Sequence, residues 1–171
     1  MLPSQSFPVE GGCDCGAVRY RIEAAPLVVH CCHCTWCQRE SGAAFALNAM
    51  IESEYVTNLG CEPEVVHTPS ASGKGQGIAR CPHCRIAVWS YYAGSGPLVK
   101  FVRVGTLDQP GLFPPDIHIF TSSKQAWLQL PTDVPTVPEY YEREQYWSPQ
   151  SLARSAILLP KIRAYRVRGG Q

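Results

Sequence analysis

The sequence of 171 residues contains no apolar run near the ~20 residues that a membrane-spanning helix needs. Residues 1–6 carry neither the basic start nor the apolar stretch of a secretory signal. Charged residues are scarce at 17%, and the formal net charge is +1, so the composition gives no case for a membrane surface or a nucleic acid as partner. These absences favour a cytoplasmic protein that binds neither.

The chain also lacks internal repeats, low-complexity segments and, before residue 148, any long amphipathic helix. Instead, 15 prolines and 14 glycines are scattered between short apolar runs, some alternating and some rich in β-branched residues. We predict strands for seven of these runs: 18–23, 27–31, 44–51, 64–68, 86–92, 99–104 and 116–120. The segments 70–77 and 94–97 are typical of turns. The predicted fold is a mainly β, antiparallel domain whose loops carry the other features.

The last part of the chain has a different character. Residues 131–149 form an irregular segment punctuated by prolines, and residues 149–158 fit a short terminal helix with a proline near its first turn. The tail 161–168 alternates basic and apolar residues, which favours an added strand over an interaction arm. We therefore predict a domain over residues 1–142 and a C-terminal extension, residues 143–171, with a basic strand or tail.

Nine cysteines are present, an odd number that argues against a secreted disulfide framework. Seven of them fall into three tight clusters: Cys13-Asp14-Cys15, Cys32-His33-Cys34-Thr35-Trp36-Cys37 and Cys81-Pro82-His83-Cys84. Such spacing lets neighbouring sulfurs converge on one tetrahedral ion, and thiolates are zinc ligands. Two pairs make four ligands, whereas the remaining cluster supplies three. The sequence therefore predicts two zinc ions per chain, one in a closed structural site and one in an open site.

The closed site would combine Cys13 and Cys15, at the entrance to the first predicted strand, with Cys81 and Cys84. Sixty-five residues separate Cys15 from Cys81, so the metal would link distant parts of the sheet. Metal binding would offset the entropic cost of closing that loop. The alternative is a set of free cysteines buried in the core, which explains single residues but not their pairing.

The open site, made of Cys32, Cys34 and Cys37, leaves one coordination position for water or substrate, which is the usual count of a catalytic zinc. Cys31 points to the other side of the strand from Cys32, so we expect it to be a small core residue, and we expect Cys61 to be a free thiol in a loop. A histidine that completed the site would make it structural instead. All five histidines are candidates: His30, His33, His67, His83 and His118.

An open zinc with thiolate ligands favours soft donors. An exogenous thiol could take the free position, lose its proton and become a nucleophile. Arg39 and Lys124 are candidates to hold carboxylates of such a thiol. Trp36, Trp89 and Trp127 could line its pocket, although aromatic side chains more often fill a core.

Four segments of the chain carry a family pattern: GCDCGAVRY at 12–20, CHCTWCQRESGA at 32–43, RCPHC at 80–84 and HIFTSSKQAW at 118–127. Together they resemble the glutathione-dependent formaldehyde-activating enzymes, a family related to centromere protein V, over residues 10–142. The resemblance implies an Mss4-like β fold with two zinc ions. It implies that the closed site is structural and that Cys32, Cys34 and Cys37 form the catalytic site.

The activity that the resemblance implies is the condensation of glutathione with formaldehyde to S-(hydroxymethyl)glutathione, in the carbon–sulfur lyase class. A bound thiolate would attack the carbonyl carbon, and a positive centre would stabilise the developing alkoxide. Arg39, Lys124 and Trp127 are the expected substrate-binding residues. The competing hypothesis is a non-catalytic, zinc-stabilised module of the same fold that binds another protein. The sequence leaves the oligomeric state open.

The chain departs from the family pattern at two positions. Gln38 occupies the first of two positions after the third cysteine at which the family usually has basic residues. Arg85 follows the Cys81–Cys84 knuckle, where the family usually has Gly. We expect Arg85 to alter this turn, because Arg tolerates positive φ poorly.

Overall fold

Ten β-strands and two α-helices make up the regular structure of the described residues, 6–70 and 72–168, in a computed structural model. The strands are β1 (Val9–Gly12), β2 (Arg19–Ile22), β3 (Val28–Cys32), β4 (Ala46–Glu52), β5 (Val56–Asn58), β6 (Glu64–Thr68), β7 (Gln76–Arg80), β8 (Ala87–Tyr92), β9 (Val99–Arg103) and β10 (Ile117–Ile119). The helices are α1 (Thr35–Ser41) and α2 (Pro149–Val167). Short 3₁₀ turns cover Ser53–Tyr55, Gly96–Leu98, Val104–Thr106, Pro110–Leu112, Thr121–Ser123 and Arg143–Gln145. The mainly β class predicted from the sequence is confirmed.

The strands form two sheets. The small sheet has the order β1-β2-β5 and is antiparallel throughout. The large sheet has the order β10-β3-β4-β9-β8-β7-β6 and is antiparallel except for the parallel pair of β10 and β3. In that pair Ile119 lies opposite Cys32. The segment after β10 therefore emerges at the same end of the sheet as the cluster that begins at Cys32.

The large sheet separates two hydrophobic cores. One face packs against the small sheet, where Tyr20 and Trp89 meet edge to face with ring centroids 5.6 Å apart. The other face carries Cys32 and Met50, and it packs against the segment after β10 and against α2. Because side chains alternate along a strand, Cys31 and Cys32 point into opposite faces. The three-cysteine cluster thus belongs to the face that α2 covers.

All seven predicted strands are present, with ends that differ by at most two residues. Four elements were missed: the short strands β1 and β5, the strand β7 and the helix α1. The turn predicted for 70–77 ends earlier, because Gln76 begins β7, a strand whose small residues Gly77 and Ala79 give little β signal. Pairing with β6 and β8 on both sides stabilises it. The missed helix α1 has seven residues; Cys34 caps its start, and Gly42 ends it in a left-handed conformation.

The strand predicted for 161–168 is wrong, because α2 continues to Val167. The apolar and basic residues alternate over too short a stretch to distinguish the period of two residues of a strand from the period of 3.6 residues of a helix. In the helix, Leu158 and Ile162 lie one turn apart and are both buried. Ser148 caps its first turn by accepting from the Ser151 amide at 3.0 Å. Within residues 6–70 and 72–168, no helix combines the length and apolar character that a membrane span requires.

Candidate metal centres and active site

Four thiols converge where the turn between β1 and β2 meets the turn between β7 and β8. The Sγ atoms of Cys13, Cys15, Cys81 and Cys84 all lie within 4.8 Å of one another, and all four cysteines are free. Cys15 Sγ is 3.5 Å from Cys13 Sγ and 3.6 Å from Cys81 Sγ. These separations exceed the ~2.05 Å of a disulfide bond. They approach the ~3.8 Å edge of a tetrahedron built on 2.3 Å zinc–sulfur bonds. The group could hold a metal ion, and its soft donors are consistent with zinc.

Backbone amides point at these sulfurs. Val18 N–H donates to Cys13 Sγ at 3.3 Å, and His83 N–H donates to Cys81 Sγ at 3.4 Å. Burial opposes ionisation of Cys81. The amides of Cys84 and His83, with the neighbouring thiols, outweigh it and lower the pKa of Cys81 to about 6. The site therefore favours a thiolate, which is the form that binds metal.

The second cluster is built by the end of β3 and the start of α1. Cys32 and Cys37 are buried and Cys34 is half-buried, and the three Sγ atoms lie within 4.8 Å of one another. Cys37 N–H donates to Cys34 Sγ at 3.4 Å. Hydrogen bonds from Cys32 and Cys37 lower the pKa of Cys34 to about 2, and the interaction with Cys34 raises the pKa of Cys32. The cluster thus carries a thiolate stabilised by two neighbouring thiols.

No histidine joins these three sulfurs in the described part of the chain. His30 Nε2 is 2.5 Å from the Tyr141 hydroxyl. His33 turns away from the cluster, and its Nε2 lies 2.9 Å from His118 Nδ1. Burial, with smaller effects from His118 and Lys124, lowers the pKa of His33 to about 4, so the ring is neutral at pH 7. Three cysteines and no histidine therefore converge here among the described residues.

The two remaining cysteines are placed as the sequence suggests. Cys31 is buried, 2% exposed, with its Sγ 3.6 Å from His33 Nε2. The ligand atoms of Cys31, His33 and His118 also lie within 4.8 Å of one another, a grouping that sequence spacing did not indicate. Cys61 is exposed and free.

A cavity of about 510 Å³ opens on the outer side of α1, and it receives two of the three predicted substrate-binding residues. Arg39 and Trp127 line it, together with Gln38 and Gln125, and Trp127 is 71% exposed. Lys124 does not line it. Its Nζ donates to the carbonyl oxygens of Gln125 at 3.0 Å and Leu128 at 2.6 Å. Of the other tryptophans considered as pocket residues, Trp89 is buried in the core and Trp36 is half-buried on α1.

The structure adds a cation that the sequence analysis missed. Arg103, on β9, donates to Asn48 Oδ1 at 2.8 Å and to Ser90 Oγ at 3.2 Å. Asn48 and Cys32 lie on the same sheet face, because Cys32 pairs with Ala46 two residues before Asn48. Burial is the main cause of the raised pKa of Tyr92. The charge of Cys37 raises this pKa further, and the charge of Arg103 lowers it. The strand pattern alone could not show that β9 adjoins β4.

Comparisons with known proteins identify the family of the chain. The sequence model for the family described as glutathione-dependent formaldehyde-activating enzyme matches residues 8–123. The chain belongs to this family. A Halomonas elongata protein named for the same glutathione-dependent formaldehyde-activating function is 27% identical over 128 residues, which cover 71% of this chain and 80% of that protein. A crystal structure of a Rhodobacter sphaeroides protein aligns with a TM-score of 0.45 and 21% identity, over 58% of this chain and 87% of the other.

Both departures from the pattern of the glutathione-dependent formaldehyde-activating family have a structural outcome. Arg85 was expected to alter the knuckle turn, but it takes the left-handed conformation itself, with φ 63. Its N–H donates to Cys81 O at 3.1 Å, and its side chain pairs with Glu64. Gln38 donates to the carbonyl oxygens of His33 at 2.7 Å and Ser123 at 2.9 Å. Its neutral amide thus ties α1 to the segment after β10.

Proposed function

We propose that the protein is a zinc-dependent enzyme of the carbon–sulfur lyase class that forms and cleaves S-(hydroxymethyl)glutathione from glutathione and formaldehyde. The observation that carries this proposal is the convergence of three thiols, of which Cys34 is the most exposed, in a member of this family. Four converging thiols serve a structural site, whereas three leave a ligand position for substrate.

The donor sets fit two zinc ions of different function. Cys13, Cys15, Cys81 and Cys84 would hold the structural ion. Cys32, Cys34 and Cys37 would hold the catalytic ion, which when bound supplies Lewis-acid activation of a fourth sulfur ligand and lowers the pKa of that thiol. The soft, thiolate-rich environment of both sites disfavours Mg²⁺ and Ca²⁺, which prefer oxygen.

The proposed reaction balances without a further reactant. The thiol sulfur of glutathione attacks the carbonyl carbon of formaldehyde, so that an S–C bond forms. The π electrons of the carbonyl move to its oxygen, which takes up the proton that the thiol has lost. Cleavage reverses each step. Neither oxidant nor reductant is required.

The chain's own residues would bind the thiol and stabilise charge. The guanidinium of Arg103, fixed by Asn48 and Ser90, lies on the sheet face of the cluster and favours negative charge on sulfur. Arg39, exposed at the cavity on α1, would pair with a carboxylate of glutathione, and Trp127 would cover its apolar part. Lys124 was a candidate for the same role, but its contacts with two backbone carbonyls favour a positioning role.

Exchange between glutathione, formaldehyde and their adduct can be followed by NMR in the zinc-loaded protein. We expect wild type to speed exchange above the buffer rate and Cys34→Ser to return it to that rate. Cys61→Ser is the matched control, because Cys61 is an exposed cysteine outside both clusters. It should behave as wild type.

Equal exchange rates for wild type and Cys34→Ser, with both metal sites filled, would contradict the proposal. That result would favour the protein-binding module as the function of the fold.

A further inference from the structure

A second cavity, of about 770 Å³, lies at the opposite edge of the large sheet from β10. It is formed at the ends of β6, β7 and β8, where Lys74, Gly75 and the turn 93–98 meet the C-terminal part of α2. Its size is in the range of small-molecule sites. None of the cysteines lines it.

Three cavity residues form a row across adjacent strands. Thr68 pairs with Gln76, and Gln76 pairs with Tyr92, so their side chains point to the same face of the sheet. Gln76 is only 4% exposed, yet neither its amide oxygen nor its amide nitrogen has a hydrogen-bond partner in the protein. The hydroxyl of Thr68 is likewise buried and unpartnered. Buried polar atoms are normally paired, so this row points to a ligand.

The walls of the cavity are held in place. The Tyr92 ring packs edge to face on Phe101, with centroids 4.7 Å apart. From α2, the ring of Tyr165 lies so close to Gly96 that a Cβ atom at residue 96 would clash with it. Arg166, next along the helix, donates to the carbonyl oxygen of Gly94 at 2.7 Å. Two tyrosine side chains thus line the cavity together with Gln76, one from the sheet and one from the helix.

The chemistry of these groups identifies a ligand class. A glutamine amide presents a donor and an acceptor side by side, which matches the edge of a nucleobase. Aromatic side chains supply flat faces on which a base can stack. Lys74, in the loop beside the cavity, is exposed and makes no ion pair within the described ranges, so its ammonium can meet a phosphate.

We propose that this cavity binds a mononucleotide, with the base edge on Gln76 and the phosphate toward Lys74. Gln76, which carries the proposal, lies on a strand distant from the three-thiol cluster, whereas Tyr92, at the edge of the cavity, is within reach of the charges of Cys32, Cys34 and Cys37. From β3, which carries Cys32, to β7 there are four strand spacings, on the order of 19 Å at ~4.8 Å each. The proposal therefore does not depend on the proposed function.

The test is calorimetric titration of the zinc-loaded full chain with AMP, GMP, UMP and CMP, and with the matching nucleosides. We expect at least one nucleotide to bind with a Kd below about 1 mM, and Gln76→Leu to weaken it at least ~10-fold. Lys74→Ala should weaken the nucleotide but not its nucleoside. Gln76→Glu, which replaces the amide donor with an acceptor, should also weaken it or change which base is preferred.

Two controls keep the result interpretable. Gln109→Leu changes an exposed glutamine outside the cavity and should bind the nucleotide as wild type does. Gln76→Leu should melt no lower than wild type, because it removes an unpartnered buried amide.

The proposal is overturned if none of the four nucleotides binds at about 5 mM, a concentration that detects even millimolar ligands. Equal weakening by Gln76→Leu and Gln109→Leu would also overturn it. Titration with glutathione tests whether the cavity binds a peptide instead of a nucleotide. If Gln76→Leu weakens glutathione about 10-fold, the cavity takes a peptide amide and not a base, and the assignment fails. We expect glutathione affinity to be unchanged.

Discussion

Arg39 and Lys124 are two basic residues near α1, and their surroundings give them different roles. The side chain of Arg39 borders the cavity on α1 and is exposed. The ammonium of Lys124 is held by the carbonyl oxygens of Gln125 and Leu128. A cation whose donors are occupied by backbone has little left for a substrate carboxylate. We therefore expect Arg39 to contact a ligand and Lys124 to hold the loop in place.

Substitution of each residue by methionine separates these roles. Arg39→Met should weaken glutathione binding by about 5- to 10-fold, the effect of one partly exposed charge pair, and leave the free energy of unfolding unchanged. Lys124→Met should lower the free energy of unfolding by about 1–2 kcal/mol, because two carbonyls lose their donor, and leave binding nearly unchanged. Calorimetry and denaturant unfolding measure the two quantities. The reverse pattern would show that Lys124 is the substrate contact.

The site residues that the sequence could predict are those whose partners lie nearby in the chain. Cys32, Cys34 and Cys37 are close enough in sequence to be grouped by spacing alone. Arg103 was missed because its partners, Asn48 and Ser90, lie on two other strands. The order of those strands depends on long-range pairing, which local periodicity does not encode. Gln76 was missed for the same reason.

The helix α2 covers one hydrophobic core, and two ion pairs, one buried and one exposed, hold it to the rest of the protein. Arg154 donates to both carboxylate oxygens of Glu52, at 3.0 and 2.5 Å, and the Glu52 side chain is 5% exposed. It also donates to Ala25 O at 2.6 Å. Lys161 pairs with Glu54 at 3.2 Å, and both of those side chains are about half exposed. The first pair is desolvated and the second is screened by water.

These two pairs should differ strongly in their effect on stability. Arg154→Met should lower the free energy of unfolding by about 3–5 kcal/mol, because it leaves Glu52 buried without its partner. Lys161→Met, the matched change about two turns further along α2, should cost less than about 1 kcal/mol. Urea unfolding gives both values. If Glu52→Gln fails to recover part of the loss in Arg154→Met, the buried charge is not its cause.

The elements that the sequence predicted are those with a clear period of two or with turn residues at their ends. Both the missed β7 and the wrongly assigned end of α2 depend on tertiary context. The strand β7 is poor in β-formers but is paired on both sides. The end of α2 has a pattern that fits a strand, and burial of Ile162 against the large sheet's face, one turn after Leu158, selects the helix.

On the scale of the whole molecule, the four-thiol group joins the two sheets. Cys13 and Cys15 follow β1 of the small sheet, and Cys81 and Cys84 follow β7 of the large one. Metal held there would couple the packing of both sheets to one binding free energy. The three-thiol group lies within one stretch of chain, at the end of β3 and in α1, so metal there adds little to the fold. This difference in position supports different functions for the two sites.

The most direct measurement is a titration of glutathione into the cobalt-substituted protein, followed by its visible absorption spectrum. We predict a saturable spectral change from a fourth sulfur ligand at the three-thiol site, in wild type and in Cys61→Ser, and no such change in Cys34→Ser. A wild-type spectrum that stays constant up to millimolar glutathione, where ligands bound by only ~4 kcal/mol would respond, would contradict thiol binding at that site.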